Sequence, residues 1–187
     1  MKVEETKLKG CFIIYDTVFK DDRGYFFESF NQQKFENLIG TKINFIQDNQ
    51  SKSTKGVLRG LHYQLGQHAQ AKLVRVLKGK VLDVAVDIRV DSPTFGEYVA
   101  VELSDDNFTQ FFVPRGFAHG FKVLSDDAIF FYKCDNFYNK ASEGGIIYND
   151  SFININWGNA VTENILSERD KILPTLNEVK HTLNFNL

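Results

Sequence analysis

Between Val81 and Arg89 the chain alternates with period two. Leu82, Val84, Val86 and Ile88 fall on one face of an extended segment, and Asp83, Asp87 and Arg89 fall on the other. The same alternation runs through EYVAVEL (Glu97 to Leu103). Shorter apolar stretches follow in FTQFFVP, GFKVL (Gly120 to Leu124) and AIFFYKC (Ala128 to Cys134), set apart by polar turns such as SDDN at Ser104 to Asn107. In AKLVRVLKGKV the Lys78-Gly79 pair stands between two apolar stretches and predicts a hairpin. Helix signals are scarce. Gln32 to Leu38 after Asn31 reads as a short capped helix, and SERDKILPTLNEV (Ser167 to Val179) as a second one before or after Pro174. An aromatic share of 14 %, with 18 Phe and 7 Tyr, supports strands, because flat rings fit a pleated surface. The expectation is an all-β sandwich or jelly roll with a few short helices, a fold that often holds a ligand in its mouth.

No repeat, low-complexity tract or Pro/Gly/Ser linker divides the 187 residues, so a single domain over 1–187 is expected. Lys and Arg number 22 against 24 Asp and Glu, a net charge of -2. That balance argues against nucleic acid as the main partner, which would need a basic surplus, but leaves room for a small anion held by a few placed cations. Two cysteines, Cys11 and Cys134, are too few for a disulfide framework and suit a reducing compartment. The apolar run in MKVEETKLKGCFIIYD is too short for a signal-peptide core or a membrane span. A soluble, cytoplasmic protein is the expectation.

Of four histidines, two sit in strand-like, apolar surroundings. His62 lies in GVLRGLHYQ and His119 in VPRGFAHGF. A lone histidine there is ordinarily a satisfied core residue. Both are flanked by glycines, with Arg59 and Arg115 close in sequence, and arginine suits phosphate bidentately while glycine admits close approach. On residue logic alone, core and site readings stand even.

Pro114-Arg115-Gly116-Phe117-Ala118-His119 resembles the PxGxxH element of cupins. Metal-binding cupins also carry an HxH pair and a glutamate separated by six residues from a glycine. Here six residues separate Lys72, not a carboxylate, from Gly79, and neither His62 nor His68 belongs to an HxH. An ammonium has no lone pair for a metal and repels cations. The expectation is a barrel without a metal and with a positive charge in its pocket, while a three-histidine site from His62, His68 and His119 is disfavoured. A cation in a dry pocket can stabilise an oxyanion or enolate, or hold a phosphate, and a histidine base beside it makes proton abstraction next to a carbonyl feasible.

Eight blocks then occur in order: DDRGYFFESFN, FIQDNQSKS, GVLRGLHYQ, QAKLVRVLKGKVLDVAVDIR, SPTFGEY, VPRGFAHGF, YKCDNFY and LSERD. The chain from about Phe19 to Leu176, which contains them, resembles the dTDP-4-dehydrorhamnose 3,5-epimerase family, metal-free cupin-type enzymes of nucleotide-sugar biosynthesis. The resemblance implies a double-stranded β-helix, or jelly roll, that inverts C3 and C5 of a dTDP-linked 4-keto-6-deoxyhexose with no cofactor. Residue by residue it implies His62 as base, Asp170 as the carboxylate that orients and charge-stabilises it, Tyr132 as the acid on the opposite face, and Lys72 beside O4 of the sugar. Arg23, Arg59 and Arg169 are implied phosphate ligands, Arg169 standing where relatives often carry lysine. Gln47, Asn49 and Glu28 are implied readers of thymine and ribose, Tyr138 the stacking platform, and His119 and Glu143 walls of the sugar pocket. Family dimers exchange N-terminal strands, so a homodimer is implied, with Arg23 and Glu28 serving the partner's site. The rivals are a single-carbon epimerase of another deoxysugar pathway, a metal-dependent oxygenase and a sugar-nucleotide binding module.

Overall fold

A computed structural model describes residues 1–158 and 164–185. In chain order its strands are β1 (Lys2–Glu5), β2 (Phe12–Tyr15), β3 (Phe19–Asp21), β4 (Gly24–Phe26), β5 (Gln47–Thr54), β6 (Leu58–Gln64), β7 (Lys72–Lys78), β8 (Lys80–Asp87), β9 (Tyr98–Ser104), β10 (Thr109–Val113), β11 (Phe117–Val123), β12 (Asp127–Cys134) and β13 (Glu143–Gly145). They form a six-stranded sheet, β1-β2-β10-β7-β12-β5, and a five-stranded sheet, β13-β6-β11-β8-β9, with β3 and β4 a separate hairpin. The antiparallel pairings and the crossovers between the two sheets make the jelly roll that the alternation predicts.

The apolar layers explain why some strands alternate and others do not. Between the sheets lie Val74, Val76, Val81, Ala85, Phe111, Phe121 and Phe130. Behind the five-stranded sheet, Val84, Val86 and Ile88 pack under Ile146, Trp157 and Leu176 from the C-terminal segment. Strand β8 is therefore buried on both faces, and Asp83 and Asp87, on its charged face, are fully buried. Behind the six-stranded sheet, Phe35 and Ile39 of helix α1 (Gln32–Ile39) cover Ile14, Leu73 and Phe112.

The two helical segments follow their sequence signals. Asn31 caps α1 by accepting from the Lys34 amide at 3.1 Å, and Gly40 ends it in the left-handed region at φ 71°. In the second segment, α2 (Leu176–Val179) follows Pro174 with a capping box between Thr175 and Glu178. Before Pro174 there is one 3-10 turn, Asp170–Ile172.

The hairpin expected at Lys78-Gly79 does not form. Strand β7 pairs with β10 and β12 in one sheet, and β8 with β11 and β9 in the other. The glycine marks a corner where the chain changes sheets, and a turn signal alone does not tell a corner from a hairpin. Gly79 has φ 80°, and a Cβ there would stand 2.1 Å from the Asp127 carbonyl oxygen and 2.5 Å from Ser125 Oγ. Gly79→Ala is expected to lose about 2–4 kcal/mol, combining left-handed strain with overpacking. Thermal unfolding should show a melting temperature lower by roughly 5–15 °C. A variant melting with the wild type would mean that the corner re-forms without glycine.

Candidate active site

Side chains that point between the sheets change character along the strands. Val74, Val76, Phe121 and Phe130 fill the closed end. Two residues along from these, on the same strand faces, come Lys72, His119 and Tyr132. The open end is a cavity of about 280 Å³ lined by His62, Lys72, Tyr132, Gln47, Asn49, Tyr138 and Glu143. A second cavity of about 360 Å³ meets His62 from the other side, where Arg59, Arg169 and Asp170 line it. Most of the residues singled out in the sequence thus meet around one histidine.

His62 stands on β6 of the five-stranded sheet. Its Nε2 lies 2.7 Å from Oδ1 of Asp170, which the 3-10 turn brings in from far along the chain. Asp170 is buried, not the surface carboxylate that a helix start would ordinarily carry. Burial works against its charge, but the bond with His62, that ring's charge and the Gly60 amide outweigh it, holding Asp170 below the ordinary carboxylate range. A carboxylate only accepts, so His62 donates through Nε2 and keeps its free lone pair on Nδ1. The glycine beside the histidine has a packing reason. At φ 111°, Gly60 lies where a Cβ would come within 2.7 Å of the Gly120 Cα and the His119 carbonyl oxygen on β11.

Lys72 and Tyr132 come from the other sheet, on β7 and β12. The Lys72 ammonium lies 5.9 Å from the centre of the Tyr132 ring and makes no ion pair among the described residues. Burial pulls its pKa below the usual lysine value, opposed by Cys134, Asp83 and Glu143. That loosens its proton towards an oxyanion. Burial pushes the Tyr132 phenol up to about 12, so at neutral pH it stays protonated, as a donor must. His62 and Tyr132 project from opposite sheets, so an imidazole and a protonated phenol border the mouth from two sides.

The rim is tied together. Oε2 of Glu143 accepts from the Tyr138 hydroxyl at 2.8 Å and from Arg169 at 2.6 Å. Although burial opposes it, these bonds hold Glu143 below its usual range. Gln47 donates to Asn49 at 3.1 Å, and Arg59 Nε donates to Ser53 at 3.1 Å. Arg23 and Glu28 line neither cavity. Arg23 is solvent-exposed and paired with Asp21 on the β3–β4 hairpin, and Glu28 pairs with Lys34.

His119 lies deeper, register partner of His62 across β6 and β11, with its Nε2 2.8 Å from Asp83 Oδ1. Asp83 is the residue that sequence reasoning missed. The one hint was that apolar Val81 and Ala85 share its face of the strand. His68 bonds Ser142 through Nδ1 at 2.9 Å. His62 and His119 are committed to carboxylates, and among the described residues no three histidine, cysteine or acidic side chains converge on a metal-sized site. The geometry gives no support to a three-histidine centre.

Known proteins share this sequence and fold. A family profile described as dTDP-4-dehydrorhamnose 3,5-epimerase matches residues 5–178. The Shigella flexneri protein of that name is 56 % identical over 170 residues, 91 % of this chain and 93 % of its own. The crystal structure of the Elizabethkingia anophelis enzyme of that name superposes with a TM-score of 0.91 at 57 % identity, covering 95 % of this chain and 97 % of that one. A Legionella pneumophila dTDP-6-deoxy-D-glucose-3,5-epimerase solved with dTDP-4-keto-L-rhamnose gives 0.94 at 46 % identity, covering 100 % and 98 %. With the profile spanning most of the sequence and the fold shared end to end, the chain belongs to the dTDP-4-dehydrorhamnose 3,5-epimerase family.

Proposed function

We propose that the mouth of the barrel converts dTDP-4-dehydro-6-deoxy-D-glucose to dTDP-4-dehydro-L-rhamnose, an isomerisation in dTDP-L-rhamnose biosynthesis, with His62, Asp170, Tyr132 and Lys72 as its machinery. The observation that carries the assignment of roles is the His62–Asp170 pair on one sheet facing Tyr132 on the other. Both C3 and C5 of the sugar adjoin the C4 ketone, so loss of either proton gives an enolate. Nδ1 of His62 takes the proton, and Asp170 stabilises the imidazolium that forms. Lys72 neutralises the charge growing on O4. The Tyr132 phenol returns a proton from the far side, and the carbon inverts.

Arg59 and Arg169 are the cations placed for the diphosphate, Gln47 and Asn49 supply amides to the nucleotide, and Tyr138, half exposed at the rim, supplies a ring for the base. Arg23 and Glu28 are assigned to the neighbouring site of a homodimer. In support, the hairpin that carries Arg23 also exposes Phe19 by 64 % and Phe26 by 71 %, large apolar surfaces that a second copy would cover. Cytoplasmic action belongs to the same reading. Cys11 and Cys134 are free thiols, and no described helix is long and apolar enough to cross a membrane.

Incubation with dTDP-4-keto-6-deoxyglucose in heavy water tests the function. Deuterium at both C3 and C5, with L-configured sugar after reduction, is the expected result, and label at one carbon would assign a single-carbon epimerase. No step above uses a metal, and Lys72 stands in the position of a metal-binding carboxylate. Exhaustive chelation should therefore leave turnover unchanged. Activity lost to a chelator and restored by one divalent ion would sink this part of the mechanism.

A further inference from the structure

Cys134 lies buried in the wall of the mouth, where the chemistry above gives it no task. Around it one hydrogen bond has a direction that cannot be reversed. The backbone N–H of Tyr138 donates to Oε1 of Gln47 at 3.1 Å. That orients the Gln47 carboxamide, whose Nε2 then donates to Asn49 Oδ1 at 3.1 Å. Asn49 is oriented in turn, and its Nδ2 lies 3.7 Å from Sγ of Cys134. Three bonds run one way and end on sulfur. Each amide nitrogen spends one hydrogen in this chain and keeps a second, and both amides line the cavity.

The end of the chain sits beside the charge that the reaction needs. Cys134 is the register partner of Lys72 on β7 and of Gln47 on β5. A carboxylate at this position would accept from Asn49 equally well, but it would also pair with the Lys72 ammonium and spend its charge before substrate arrived. A thiol accepts weakly and stays neutral, because burial pushes Cys134 up to about 11 although Lys72 pulls the other way.

We infer that Cys134 is a positioning residue whose sulfur holds the Asn49 amide, so that Asn49 and Gln47 present N–H donors to acceptor oxygens of the ligand while Lys72 stays unpaired. This rests on the reading of the mouth as the dTDP-sugar site. It acts on binding and not on the chemical step, which separates it from mere space-filling.

The test compares Cys134→Ala with Cys134→Ser, two side chains of similar size that differ in the acceptor. Steady-state kinetics, calorimetric titration with dTDP and thermal melting are measured on each. Cys134→Ala should raise KM and the dTDP Kd about three- to tenfold, the range of one hydrogen bond, with kcat within about twofold. Cys134→Ser should recover most of that loss. Alanine that binds like the wild type, serine no better than alanine, or a fall in kcat at unchanged affinity would each overturn the proposal. If alanine prevents folding, Cys134→Thr against Cys134→Val poses the same question at matched shape. A wild-type protein that fails to bind dTDP would overturn the reading of the mouth itself, which is seen before any variant is compared.

Discussion

His62→Ala is expected to lose turnover by about 10²–10⁴-fold, the usual contribution of a positioned general base. Solvent deuterium should no longer enter the substrate at either carbon. The variant also leaves Asp170 buried without its 2.7 Å partner, and an unpaired buried carboxylate is costly. A lower melting temperature is therefore part of the expectation. His62→Asn keeps an N–H to offer Asp170 while removing the base, so it should melt nearer the wild type and be as inactive. Asp170→Asn should retain more activity than either, since it disturbs the orientation and charge of the imidazole but takes nothing from contact with substrate. Near-normal exchange of both protons in a folded His62→Ala protein would refute the assignment of the base.

The second large effect is a separation of two events that the wild type couples. In Tyr132→Phe the ring volume is kept and only the hydroxyl is lost, so folding should be little disturbed. His62 can still remove a proton and return one, now labelled, to the same face. Deuterium should enter the substrate, yet little inverted sugar should form. Calorimetry with dTDP keeps the result interpretable, because retained affinity with lost inversion isolates the proton donor. Fast inversion by the Tyr132→Phe protein would mean that water or another side chain supplies the proton.

The strands were legible because alternation and turn chemistry are local. Val81 to Arg89, Glu97 to Leu103 and Ala128 to Cys134 could each be read without knowing their neighbours, as could the Asn31 cap and the segment after Pro174. Sheet membership was not local, and the Lys78-Gly79 corner was misread for that reason. Among the site residues, His62 stood out through its glycines and arginine, and Lys72 through the missing carboxylate. Asp170 and Tyr132 drew their roles from family resemblance alone, because nothing local distinguishes a buried partner of His62, 108 positions away, from a surface acid. Asp83 escaped altogether, since a charged residue in an alternating strand reads as solvated until a second layer is known to cover it.

In the proposed mechanism, base and acid hang from separate sheets, and this ties stereochemistry to the apolar layer between them. The distance across the mouth belongs to neither strand. It is set by how Val74, Val76, Phe121 and Phe130 stack, in an interior as incompressible as a molecular crystal. The core thus acts as a spacer gauge for handedness. Swelling or slackening it by a methylene would move both proton-transfer groups relative to the sugar plane without altering either, and the first symptom would be an error in the configuration of the product, well before any loss of the fold.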